Sequence, residues 1–190
     1  MLFILPVFCQ AQLHKLPIDS DTHKVTYQEI VKVDGVNKDE LYVRAREWFA
    51  LTFKSSKDVI QMDDKAAGKI IGKGSSEGST KYRMLTMDYW LNYTVSITVK
   101  EGRYRYEITD FVIENKPSQY VPSVMPMTAE VFYNTVESNN NFLSKKNAAQ
   151  MESMYNTYID KIESVGTRLA DSLKDALYKK GKAVKSKDDF

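Results

Sequence analysis

The longest run of alternating apolar and polar positions lies between Thr86 and Glu114. From Met87 to Val99 every odd position is apolar, and the even positions include Asp88, Trp90, Asn92, Thr94, Ser96 and Thr98. Successive side chains of a strand point to opposite faces, so period two predicts one buried face and one polar face. Glu101-Gly102 supplies the turn, since glycine takes the positive φ that tight hairpins need. The return strand sets Tyr104, Tyr106 and Ile108 against Arg103, Arg105 and Glu107. Its phase slips at Asp110-Phe111, which predicts a bulge or a local twist.

The remaining elements follow in order. Residues 24–33 alternate as a first strand, with Val25, Tyr27, Val31 and Val33 in phase, and Asp34-Gly35 ends it. Residues 37–53 form a helix with Asn37 as cap and Glu40 three residues on, a capping-box arrangement. Leu41, Ala45, Trp48, Phe49, Thr52 and Phe53 make one apolar stripe on it. Residues 57–62 and 67–74 are two short strands joined by a turn at Asp63-Asp64-Lys65, and 75–80 (SSEGST) is a flexible turn. The connection 115–146 contains Pro117, Pro122 and Pro126, which break regular structure. A short helix is expected over 128–136 and a loop at 138–141. A long helix covers 147–180, with Tyr155, Tyr158, Ile162, Val165, Leu169 and Leu173 at three- and four-residue steps. Gly166 is a weak point in it, and Gly181 its stop.

The chain has 190 residues, enough for one domain with a real core. Residues 1–11 read as the apolar core and cleavage region of a secretory signal peptide, cut after Cys9-Gln10-Ala11, with the basic leader missing. The apolar run is too short to span a bilayer. Phe8 before Cys9 argues against a lipoprotein signal. Residues 12–23 are a linker, 24–180 a single α+β domain, and 181–190 a lysine-rich tail read as a solvated end. The net charge of +2 gives no electrostatic footprint for nucleic acid. Tyrosine is abundant, at 12 residues, and suits half-buried sheet faces as well as binding surfaces.

The order strand, helix, four antiparallel strands, long helix is that of a TBP-like half, β-α-β-β-β-β-α, with a curved sheet on two helices. The segments VDGVNKDELYVRAREWFA and DVIQMDDKAAGKIIGKG resemble a bacterial domain-of-unknown-function family with a TBP-like fold. The similarity runs from about Leu16 to Glu114, and AGKIIGKG is its most specific block. The resemblance implies that fold and export, as in proteins of Gram-negative bacteria. It implies no catalytic residues, and a fold name carries no DNA binding with it.

Recognisable chemistry is scarce. GKIIGKGS has three residues where a phosphate loop needs four before Gly-Lys, and Glu77 stands where a dinucleotide motif needs its third glycine. The block reads instead as a strand whose glycines permit close backbone approach. His14 and His23 lie in the linker, and a chain cut after Ala11 retains no cysteine. Neither a metal centre nor a cysteine nucleophile is expected, and no cofactor. Asp63-Asp64 and Glu107 with Asp110 are candidate carboxylate pairs, with solvation their ordinary role. Asn92-Tyr93-Thr94 matches a glycosylation sequon, taken as chance.

Trp90 stands out, because a large aromatic on a polar face needs either a cover or a partner. The cover would be the 115–146 connection, through Met125, Met127, Phe132 or Tyr133. The partner reading makes Trp90, Asn92 and Asp88 a ligand face. The leading expectation is therefore an exported, non-enzymatic module that binds an envelope protein, a glycan or another ligand on its sheet face. The alternatives are a hydrolase of cell-envelope polymers using Asp/Glu and a carrier of small apolar molecules.

Overall fold

The computed structural model describes residues 16–53, 56–118, 126–137 and 145–178. The signal-peptide residues, His14, the loop at 138–141, Gly181 and the lysine-rich tail lie outside the described residues.

The elements run β1 (Tyr27–Lys32), α1 (Lys38–Thr52), α2 (Ser56–Val59), β2 (Ile60–Asp64), β3 (Lys69–Tyr82), β4 (Leu85–Lys100), β5 (Arg103–Asn115), β6 (Met127–Thr128), α3 (Ala129–Glu137) and α4 (Lys145–Tyr178). The strands form one antiparallel sheet in the order β1-β5-β4-β3-β2, and β6 pairs with the far half of β5. The described helices pack on one face of this sheet. Leu91, Val95, Ile97 and Ile108 form the floor of the core, and Leu41, Phe49, Ile162 and Leu173 its roof.

Local chemistry accounts for most of the boundaries. Asn37 caps α1, its side chain accepting the Glu40 amide at 2.8 Å. Leu41, Ala45, Trp48 and Phe49 are buried as the stripe predicts; Tyr42 joins them, and Thr52 is exposed. The hairpin turn at Glu101-Gly102 has Gly102 at φ 66°. Leu16 is buried and Ile18 bridges Val25, so the end of the linker packs with the domain.

The phase slip in β5 is a bulge. Asn92 pairs with Val112 and Thr94 with Thr109, which leaves Asp110 and Phe111 together opposite Tyr93. Asp110 takes φ 55°, a left-handed conformation that Asp tolerates better than most residues. The extra residue swings Phe111 to the helix side, where it packs edge-on against Tyr27.

Three local expectations are corrected. Residues 56–59 form a helical turn, and the strand begins only at Ile60. The turn after it falls at 65–68, fixed by Asp64 accepting the Ala67 amide and by Gly68 at φ 69°. Residues 75–80 are no turn: β3 runs unbroken for 14 residues, and the chain reverses at Arg83-Met84. The small residues of this stretch make room for β4. A Cβ on Gly78 would stand 2.4 Å from the Tyr89 ring, and one on Gly74 2.4 Å from the Tyr93 ring. β2 pairs only with the stretch from Lys69 to Gly72, so beyond it the outer edge of β3 has no neighbouring strand among the described residues. Gly166 of α4 has a packing reason too, since a Cβ there would lie 2.4 Å from the ring of Tyr27.

Candidate functional site

The second face of the sheet carries the polar positions of β4, with Asn92, Thr94, Ser96 and Thr98 in one half-buried column. Cross-strand register places neighbours beside each. Lys73 and Thr109 flank Thr94, Ile71 and Glu107 flank Ser96, and Lys69 and Arg105 flank Thr98. No described helix crosses this face.

Two hollows open on it. The larger, about 1300 Å³, reaches around the outer edge of β3. Phe53, Val59 and Leu169 line it from the helix side, and Asn92, Thr94 and Val112 from the open face. The smaller, about 440 Å³, lies at the β4–β5 turn end and is lined by Lys69, Thr98, Lys100, Arg103 and Arg105, together with Ile30 and Glu107.

Trp90, Asn92 and Asp88 all belong to the open face, at alternate positions of β4. Trp90 is half-buried between Glu77 and Glu114. The Lys116 ammonium sits 4.9 Å from its ring centroid and also pairs with Glu77 at 2.9 Å. Asp88 is exposed, and its carbonyl accepts the Lys116 amide at 2.7 Å. Of the three, Asn92 lines the larger hollow, and Trp90 and Asp88 line neither of these two.

The cover expected from Met127, Phe132 and Tyr133 is on the other face. Met127 pairs with Ile113, a helix-side residue, and Phe132 is buried against Tyr155 and Tyr158. The reason is local: β6 leads straight into α3, whose inner positions Ala129 and Phe132 face α4. Tyr133 packs with that same core, and Met125 lies outside the described residues. Among the described residues, Trp90 is shielded instead by Lys116. Trp90→Ala should therefore cost about 1 kcal/mol, from a cation–π contact and partial burial. Urea unfolding checks this; a loss near the 3–5 kcal/mol typical of a fully buried aromatic would show a complete cover.

Most carboxylates near the face have cationic partners. Asp110 meets Lys24 at 2.6 Å, and that bond raises the lysine pKa. Glu107 meets Arg105 at 2.6 Å. On the helix side, the Lys174 ammonium lies 2.5 Å from Glu29 and is the main reason its carboxyl titrates below the usual range. Tyr42 donates to Asp63 there, and burial with that bond pushes its hydroxyl up to about 12. Asp63 also pairs with Arg46 at 3.1 Å, so the Asp63-Asp64 pair is divided between a helix contact and a turn. Among the described residues no cluster of His, Cys, Asp and Glu could hold a metal ion.

The smaller hollow is not legible from the sequence alone. Lys100, Arg103 and Arg105 are visible as polar hairpin positions, but Lys69 joins them only through the β3–β4 register.

Residues 27–114 match the model of the domain of unknown function DUF4468, with TBP-like fold. The likeness to that family spans a little under half of the chain. Two solved structures extend the likeness beyond it. A TBP-like protein from Parabacteroides distasonis is 20% identical with a TM-score of 0.56, over 83% of this chain and 97% of its own. A DUF4468 family protein from Bacteroides ovatus is 17% identical with a TM-score of 0.57, over 82% and 90%. Both show the TBP-like fold, and their coverage takes it past the DUF4468 segment into the C-terminal elements. No curated protein matches the chain. No helix among the described residues is long and apolar enough to cross a membrane.

Proposed function

We propose that this chain is an exported, non-enzymatic module that binds a ligand on the open face of its sheet. The observation that carries the reading is that face itself: a long polar column on β4, uncovered by any described helix and indented by two hollows. A face serving only to be solvated has no need of concavity. The carboxylates nearest the column, Glu107 and Asp110, are each held by a cation, and the larger hollow is lined by hydroxyl, amide and charged groups as much as by apolar ones. These features favour binding over both a carboxylate hydrolase and a carrier of apolar molecules. Export rests on the apolar run ending in Cys9-Gln10-Ala11.

The test is native co-purification with mass-spectrometric identification of the ligand. Thr94→Arg with Ser96→Arg fills the centre of the face, and Asp171→Arg places the same side chain on the exposed side of α4. Loss of the identified ligand with the first and retention with the second is the expected result. Equal retention in both variants would overturn the reading.

A further inference from the structure

We propose that the smaller hollow is a site for a phosphate monoester of a small polyhydroxy compound. This rests on the binding role of the open face and assigns a ligand class to one end of it. Lys69, Lys100, Arg103 and Arg105 line the hollow against a single carboxylate, Glu107, which leaves a surplus of three positive charges. The whole chain carries a net charge of +2, so the positive charge is concentrated at this end. Only Arg105 has a carboxylate partner among the described residues, donating to Glu107 at 2.6 Å and to Gln28 at 3.0 Å.

Register explains why the cations converge. Lys69, Thr98 and Arg105 lie side by side on β3, β4 and β5. Lys100 and Arg103 pair on the next row towards the turn. Strand spacing puts Lys69 and Arg105 roughly 10 Å apart at the backbone, with the Thr98 hydroxyl between them. Side chains of that length reach a common group above Thr98. Neighbouring cations held on a rigid sheet repel one another, and an anion between them relieves that repulsion.

The chemistry selects the anion. A carboxylate neutralises one charge of the surplus. A phosphoryl group carries close to two and offers three terminal oxygens, enough for an arginine fork and two lysines at once. The remaining lining residues select what the phosphoryl is attached to. Glu107 repels a second anion and accepts hydrogen bonds from hydroxyl groups, and exposed Ile30 offers an apolar wall beside it. A volume of about 440 Å³ suits a compact ligand.

The test is calorimetry on the full chain at low ionic strength, with glucose 6-phosphate, inorganic phosphate and glucose as probes. Glucose 6-phosphate should bind saturably and glucose should not. Binding of inorganic phosphate more tightly than the ester would keep the phosphoryl site but overturn the ester assignment. Lys100→Ala with Arg103→Ala should weaken the ester by at least about tenfold, the scale of one or two charge-assisted hydrogen bonds. Both residues are exposed, and unchanged circular dichroism verifies the fold. Leu51→Ala, exposed on α1 on the other side of the sheet, should leave the affinity within about twofold, as distant sites act independently. Absence of saturable binding by both phosphate probes, undiminished binding in the double variant, or binding of glucose as tight as that of the ester would each overturn the proposal. Such a failure stays distinct from failure of the binding module, which is read by loss of the native ligand on filling the face at Thr94 and Ser96.

Discussion

Ile97→Asp is expected to leave the chain unfolded at room temperature, whereas Thr94→Asp on the same strand should fold. Ile97 is completely buried at the centre of β4, between Ile70 and Tyr106 in the sheet. A carboxylate there has no cation to meet and no water. Loss of the isoleucine alone is worth about 2–5 kcal/mol, and an unpaired buried charge adds several more. Domains of this size have about 5–15 kcal/mol in total. Thr94 points to the open face, with Lys73 beside it, and aspartate there loses only strand propensity, about 1 kcal/mol. Urea melts of the two variants check the alternation. A folded Ile97→Asp protein with a near-native midpoint would mean that the faces of β4 are assigned the wrong way round.

Alkaline pH should unfold the protein in one step. Burial holds the hydroxyls of Tyr104 and Tyr158 neutral far above their usual pKa and pushes Tyr89 from 10.0 to about 12. A tyrosine that ionises at higher pH in the folded state than in the unfolded one binds more protons when folded. Its contribution is therefore complete below pH 10 and falls as pH rises towards the folded value. For Tyr89 alone the loss by pH 12 is about 2 kcal/mol, at about 1.4 kcal/mol per pH unit between the two values. Tyr104 and Tyr158 add to it, which together rivals the stability of an ordinary domain. Tyrosinate absorbance should rise together with loss of the near-ultraviolet dichroism. Tyrosinate appearing near pH 10 with the dichroism intact would contradict the burial. Tyr104→Phe offers a second check. Its hydroxyl is buried with no hydrogen-bond partner among the described residues, so its removal should not destabilise at neutral pH and should move the alkaline transition upward.

What could be read in advance was whatever depended on neighbours close along the chain. The β4–β5 hairpin announced itself because both strands alternate strictly and a glycine joins them. α1 was legible from Asn37 and Glu40, and the bulge from one misplaced aspartate. β3 was not, because Ser-Ser-Glu-Gly-Ser-Thr has the composition of a turn, and only the rings of Tyr89 and Tyr93, contributed by another strand, explain why it is small. The environment of Trp90 differs from the expected cover for a similar reason, since nothing local tells which face a connection will take. Of the candidate ligand residues, Trp90, Asn92 and Asp88 could be placed on the polar side from period two alone. The cationic hollow could not, since its members meet across three strands.

Beyond Gly72 the outer edge of β3 has no neighbouring strand among the described residues, and this bears on the behaviour of the protein in concentrated solution. Such an edge presents backbone donors and acceptors to any passing chain, and sheets that leave one bare tend to stack into aggregates. Here the edge reads Lys-Gly-Ser-Ser-Glu-Gly-Ser-Thr-Lys-Tyr from Lys73 to Tyr82, with three charges and two glycines. Those residues have little preference for extended pairing, and the charges discourage a second copy from docking alongside. The composition that disguised the strand as a turn is thus also what keeps its open side from becoming a seed for fibres.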